Sequence, residues 1–130
     1  MLDVVNEIEE ILKVEIAYGI MGFFKDYIPV VESSYLIEPQ GSNISFDTFD
    51  SLAEVPSIKV YIIESNVNTE FNDDKRDFFR KCDRVIKALF ANPTLSETVT
   101  QFSLECKYSS VKKDKPYKVC ELNFKIEEML

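Results

Sequence analysis

Between Gln101 and Tyr108 polar and apolar residues alternate without a break. Phe102, Leu104, Cys106 and Tyr108 fall on one side, and Gln101, Ser103, Glu105 and Lys107 on the other. A period of two is that of a strand with one buried face. Val119 to Ile126 repeats it, with Cys120, Leu122, Phe124 and Ile126 inward and Val119, Glu121, Asn123 and Lys125 outward. Together they predict a hairpin centred near Lys113, pairing Phe102 with Phe124, Leu104 with Leu122 and Cys106 with Cys120. A slip of one residue would set an apolar face against a polar one, so this register is favoured. The tip, Ser109 to Pro116, carries Lys112, Lys113 and Lys115 and is expected to be exposed.

Two other stretches change period. Leu2, Val5, Ile8, Ile11, Leu12 and Ile16 form a helical stripe, with Glu7, Glu9, Glu10, Lys13 and Glu15 facing water. This predicts a helix over 2–18, ended by Gly19 in the left-handed position that glycine tolerates. A second helix is predicted from Asn72 as N-cap, with Asp73, Asp74 and Asp77 near the positive end of its dipole. Its wide stripe is Phe78, Phe79, Cys82, Val85, Ile86, Leu89 and Phe90. Asn92-Pro93 ends it, because a residue before proline is pushed out of helical geometry. Thr94 and Glu97 then have the spacing of a capping box and predict a short turn.

The middle of the chain is less periodic. Ile20 to Val31 is apolar and aromatic, interrupted by Pro29, and reads as a short strand or an irregular segment covering the core. Ser34 to Glu38 reads as a strand stopped by Pro39, and Ser57 to Ile63 as a strand rich in β-branched and aromatic residues. These two are expected to pair antiparallel. Gln40 to Pro56 between them is expected to be a long loop at the hairpin tip, of a length usually tied to function or disorder. The sum is an α+β fold: one domain over 1–130, a mostly antiparallel sheet of about four to five strands, and two main helices.

Composition narrows the chemistry. There is no histidine among the 130 residues, which removes the usual general base, the usual zinc ligand and every Ser–His or Cys–His nucleophile pair. The three cysteines, Cys82, Cys106 and Cys120, lack CxxC spacing and read as free, buried thiols rather than metal ligands or a disulfide. Asp73 and Asp74 with nearby Glu70 are more simply helix-terminal acids than a metal cluster. No phosphate-binding glycine loop, dinucleotide fingerprint or internal repeat is present. No catalytic, cofactor-binding or metal-binding residue is therefore assigned, and an enzyme is not expected. No apolar run reaches membrane-spanning length and the N-terminus has no basic signal region, so a cytosolic site of synthesis is expected.

The net charge of −8 argues against nucleic acid as the main partner. The charge is also uneven: residues 1–71 hold 3 Lys/Arg against 13 Asp/Glu, and residues 72–130 hold 12 against 10. A solvated acidic surface accounts for this, as does a subunit whose unlike surfaces meet head to tail.

The order of elements, with Phe78 to Leu95, the Asn92-Pro93-Thr94-Leu95-Ser96-Glu97 break and the closing hairpin to Leu130, resembles the tail terminator proteins of long-tailed bacteriophages. Val55-Pro56-Ser57-Ile58-Lys59-Val60-Tyr61 is similar to that family's central strands. The resemblance covers residues 34–130, and 1–33 in outline. It implies a structural virion protein that forms a hexameric ring on the tail tube, stops tube polymerisation and presents a head–tail joining surface to the neck. Implied partners are other copies of the chain, the tail tube protein and a connector or neck protein. DNA would pass through the ring only as cargo, with no membrane and no cofactor involved. The implied location is the virion tail or neck, after assembly in the bacterial host cytoplasm. Candidate contact residues are Phe46, Asp47, Phe49 and Asp50 in the long loop and Lys112, Lys113 and Lys115 at the tip. Another phage connector or head-completion (stopper) protein is an alternative, and a non-viral ligand-binding or regulatory module is a second.

Overall fold

A computed structural model describes residues 1–46, 52–65, 75–111 and 116–130. Helix α1 spans Leu2–Glu15 and helix α2 spans Arg76–Phe90. The strands are β1 (Gly19–Met21), β2 (Ser33–Phe46), β3 (Leu52–Ser65), β4 (Phe102–Val111) and β5 (Tyr117–Ile126). They form one five-stranded sheet in the order β1-β2-β3-β5-β4. β1 runs parallel to β2 and every other pair is antiparallel, so the α+β architecture is as expected.

Both helices pack on one face of the sheet. Val4, Val5, Ile8 and Leu12 of α1 and Phe78, Cys82, Val85 and Leu89 of α2 are buried against Ile37, Ile58, Val60, Ile62, Cys120, Leu122 and Phe124. Each such aliphatic or aromatic side chain contributes about 1.5–3 kcal/mol through removal from water, and this face is the main source of stability. The opposite face is split. At one end Leu36, Tyr61, Ile63, Tyr117 and Val119 form a second apolar cluster, covered by Phe24 and Tyr27. Phe24 lies in a 3-10 turn (Phe24–Asp26) and stacks on Tyr61 with ring centroids 4.3 Å apart. The expected strand or core-covering segment over 20–31 is thus both: β1 first, then the covering turn. Val119, predicted to face water, is buried for this reason.

Five other local expectations are corrected. Helix α1 stops at Glu15, where Ile16 turns extended (φ −133, ψ 119). Gly19 is not its cap but the first residue of β1, needed because a Cβ there would lie 2.2 Å from the ring of Tyr35. Pro39 does not end β2. The pairing shifts between Pro39 and Gly41, with Gly41 at φ 124, and continues to Phe46↔Leu52, so most of the expected 40–56 loop is a two-stranded arm. Proline is tolerated at both places because the flanking ladders, β1 on β2 and β5 on β3, end before Pro39 and Pro56.

The β4–β5 register is two residues from that predicted: Phe102 faces Ile126, Leu104 faces Phe124, Cys106 faces Leu122 and Tyr108 faces Cys120. A shift of two preserves which face is apolar, so alternation alone could not choose between them. The short turn expected after α2 is present, with the Glu97 N–H donating to Thr94 Oγ1 at 3.3 Å, and its backbone is left-handed, since Leu95, Ser96 and Glu97 all have positive φ. Leu95 is fully buried there, and its packing holds the unusual backbone in place. The predicted N-cap Asn72 and the acids Asp73 and Asp74 lie outside the described residues. Lys75 occupies the N-cap position and makes no side-chain capping bond.

Candidate assembly surfaces

The β2–β3 arm extends past the last rung that β3 shares with β5, Ser57↔Lys125. Beyond that rung only two strands remain, and residues Ser42 to Phe46 pair with Leu52 to Pro56. Near the tip Ile44 is 62% exposed and Phe46 77% exposed. The arm is tied to the start of α1 at its middle rung, Ile44↔Glu54, since the N-terminal ammonium of Met1 forms an ion pair with Glu54. Of the predicted contact residues, Phe46 is thus an accessible apolar side chain. Asp47, Phe49 and Asp50, and all of Lys112, Lys113 and Lys115, lie outside the described residues.

A second apolar surface was not singled out in advance. Ile20, Met21, Phe23, Ile28 and Val30 are all exposed, on or just after the short β1 strand that forms one edge of the sheet. The aperiodic 20–31 stretch carried the only sequence signal for it, a density of large apolar residues without a helical or strand period.

The uncovered part of the sheet's second face is a charged ladder. Glu38 stands opposite Lys59, Lys59 Nζ lies 3.6 Å from Glu121 Oε1, and Glu121 stands opposite Lys107. Lys125 reaches Glu105 at 3.2 Å, and this neighbour holds the Glu105 carboxyl below its usual range. At a further partly buried position, Lys81 of α2 donates to Glu64 and to Ser33 at 3.0 and 2.8 Å, tying the helix to the strand ends.

Strand order maps the charge asymmetry of the chain onto space. β1, β2 and β3 occupy one side of the sheet and carry Glu38, Glu54 and Glu64 against Lys59, whereas β5 and β4 on the other carry Lys107, Lys118 and Lys125 against Glu105 and Glu121, so the two flanks of the sheet differ in sign. Between α1 and α2 runs an open groove of about 370 Å³ lined by Glu7, Glu10, Ile11, Val14, Glu15, Ala88, Ala91, Asn92 and Ser96. Its rim is acidic rather than an enclosed apolar cavity of the kind that holds a small ligand.

The three cysteines converge. Cys106 and Cys120 sulfurs are 3.5 Å apart and all three thiols are free. Cys82 and Cys120 are buried as expected, whereas Cys106, on the edge strand β4, is exposed. Its sulfur nonetheless turns toward Cys120, and the loss of water there pushes the thiol up to about 11. A thiol held this far above neutral pH is a poor nucleophile and a poor soft-metal ligand. Among the described residues no group of His, Cys, Asp and Glu is arranged to hold a metal ion, and no helix is long and apolar enough to cross a membrane.

No protein-family model and no curated protein matches the chain.

Proposed function

We propose that the protein is a structural ring subunit of a phage tail, a tail terminator that closes the end of the tail tube. The observation that carries this reading is the arm. Two strands project past the sheet with Ile44 and Phe46 bare at their end, and apolar side chains so placed lose free energy unless a partner covers them. The unlike charge of the two flanks suits a heterologous contact, in which one surface of each copy meets a different surface of the next and six copies close a ring. The tube protein and the neck connector would then meet the two ends of that ring. In this role the chain performs no chemistry.

The test is microscopy of negatively stained protein with and without cognate tail tubes. Six-fold rings, or caps on tube ends, are expected. Replacing Ile44 and Phe46 by Ser should abolish both while the far-UV circular dichroism of the subunit stays unchanged. Protein that forms no ring and leaves tube ends bare refutes the proposal. Binding to portal complexes instead of tubes would favour a stopper or other connector.

A further inference from the structure

We propose that the open edge of β4 pairs with the same edge of a second copy, antiparallel about a two-fold axis centred on Cys106. β4 is the last strand of the sheet, ten residues long, and among the described residues it pairs only with β5. Its outer backbone groups form a template for another strand, the arrangement that proteins ordinarily blunt or cover. What distinguishes a second copy from any other strand is charge. At the open edge the sheet's charged face presents an anion and a cation two residues apart, Glu105 opposite Asn123 and Lys107 opposite Glu121. The next strand should present the opposite sign to each.

Only one central register of β4 on itself does so. Keeping the apolar face matched to the apolar face requires partner positions of the same parity. Centring on Glu105 sets that carboxylate against its own copy, and centring on Lys107 sets two ammoniums together. Like charges directly opposite are destabilising. Centring on Cys106 places Glu105 against Lys107 twice, once on each side of the axis. The same register brings Leu104 opposite Tyr108 on the helix side, an aliphatic–aromatic pair of the kind that stabilises sheets. Tyr108 is 44% exposed and Phe79, in edge contact with it at 4.7 Å, is 38% exposed, so this edge has apolar surface left to cover. A two-fold contact saturates at two copies. It therefore describes the free subunit, independently of any ring built through the arm.

Sedimentation equilibrium on the full chain tests it. The wild type is expected to approach twice the 15.0 kDa chain mass as concentration rises. Glu105→Lys alone and Lys107→Glu alone are each expected to raise the dimer dissociation constant at least tenfold. Mixed in equal amounts, the two variants should associate again, because each then faces its opposite charge. In parallel, a short bis-maleimide should link wild-type chains in pairs and fail to link Cys106→Ser. Wild type that stays monomeric, or a dimer that survives both single variants, overturns the proposal. So does a mixture no better associated than its components. Ile44 and Phe46 variants should leave this dimer intact, so loss of rings and loss of dimers report different surfaces.

Discussion

Gly19→Ala should destabilise the protein although it adds one methyl group to an exposed edge strand. In a strand interior Ala is normally better than Gly by about 0.5–1 kcal/mol, because glycine loses more backbone freedom on folding. Here the added Cβ would lie 2.2 Å from three atoms of the Tyr35 ring. Comfortable carbon–carbon contact is at about 3.5–4.0 Å, so ring and strand must separate by more than an ångström. Tyr35 cannot simply swing out. It is 4% exposed, packed in the main core, and its hydroxyl donates to Glu9 Oε2 of α1 at 3.1 Å. Overpacking of this kind costs about 1–3 kcal/mol, and loss of the hydroxyl's bond places the total at the upper end. Urea denaturation followed at 222 nm measures it. A double-mutant cycle identifies the cause: Tyr35→Ala alone costs about 3–5 kcal/mol, but in that background Gly19→Ala should be neutral or stabilising. Additive costs would refute the clash and mean that the strand, not the ring, rejects a side chain at this position.

Three further outcomes follow from the described surfaces. Burial, then the Glu9 neighbour, pushes the Tyr35 phenol up to about 12, and burial also raises Tyr27, Tyr61, Tyr108 and Tyr117. The folded state thus favours the neutral phenol, so stability should be full below pH 10 and fall as pH rises toward 12, where the unfolded phenols ionise first. Tyr35→Phe should flatten that fall in the urea midpoint, and an unchanged slope would contradict the assignment. In thiol titration the unfolded, unreduced protein should show all three thiols, whereas in the native state only Cys106 should react, slowly at pH 8; fewer than three on unfolding would reveal a disulfide. Lys112, Lys113 and Lys115 changed together to Glu should weaken ring or tube association and leave the subunit folded, and unchanged assembly by size exclusion with light scattering would dismiss the lysine tip as a contact.

Which parts of this architecture could be read from sequence depends on whether a local pattern has a unique spatial answer. The α2 stripe and the inward faces of β4 and β5 have one, because period and parity assign each residue to a face whatever the partner. Phe78, Cys82, Val85 and Leu89 and then Phe102, Cys120, Leu122, Phe124 and Ile126 are buried accordingly, whereas Phe79 and Phe90 at the margins of the stripe and Cys106 and Tyr108 on the edge strand are exposed. Register is different. Two hairpins with turns centred one residue apart differ by two in pairing and are identical in parity, and only the wider packing chooses Phe102↔Ile126. The Val99↔Met129 bridge continues that ladder past the strands' formal ends, with both residues packed on the core. Gly19 failed for another reason: a glycine after a helix has a frequent local explanation, and the nonlocal one, Tyr35 lying over it, leaves no mark nearby in the chain.

The arm shows the same division at the candidate site. Gln40 to Pro56 reads as a loop because its polar residues, with Pro39 just before it and Pro56 at its end, argue against a central strand, and neither end of it is central. Past Ser57↔Lys125 both strands lose their outer neighbours, so no ladder bond is forfeited at Pro56 and neither face needs apolar side chains. A two-stranded ribbon of this kind is marginal by itself. Its persistence here rests on continuity with the five-stranded sheet and on the Met1–Glu54 tie to α1. Those supports hold the arm as far as the Ile44↔Glu54 rung and leave the Ile44 and Phe46 side chains uncovered. Polarity that hides a strand from sequence reading is therefore what frees this one from the core, and the two apolar residues near its tip are the part that folding of a single copy does not explain.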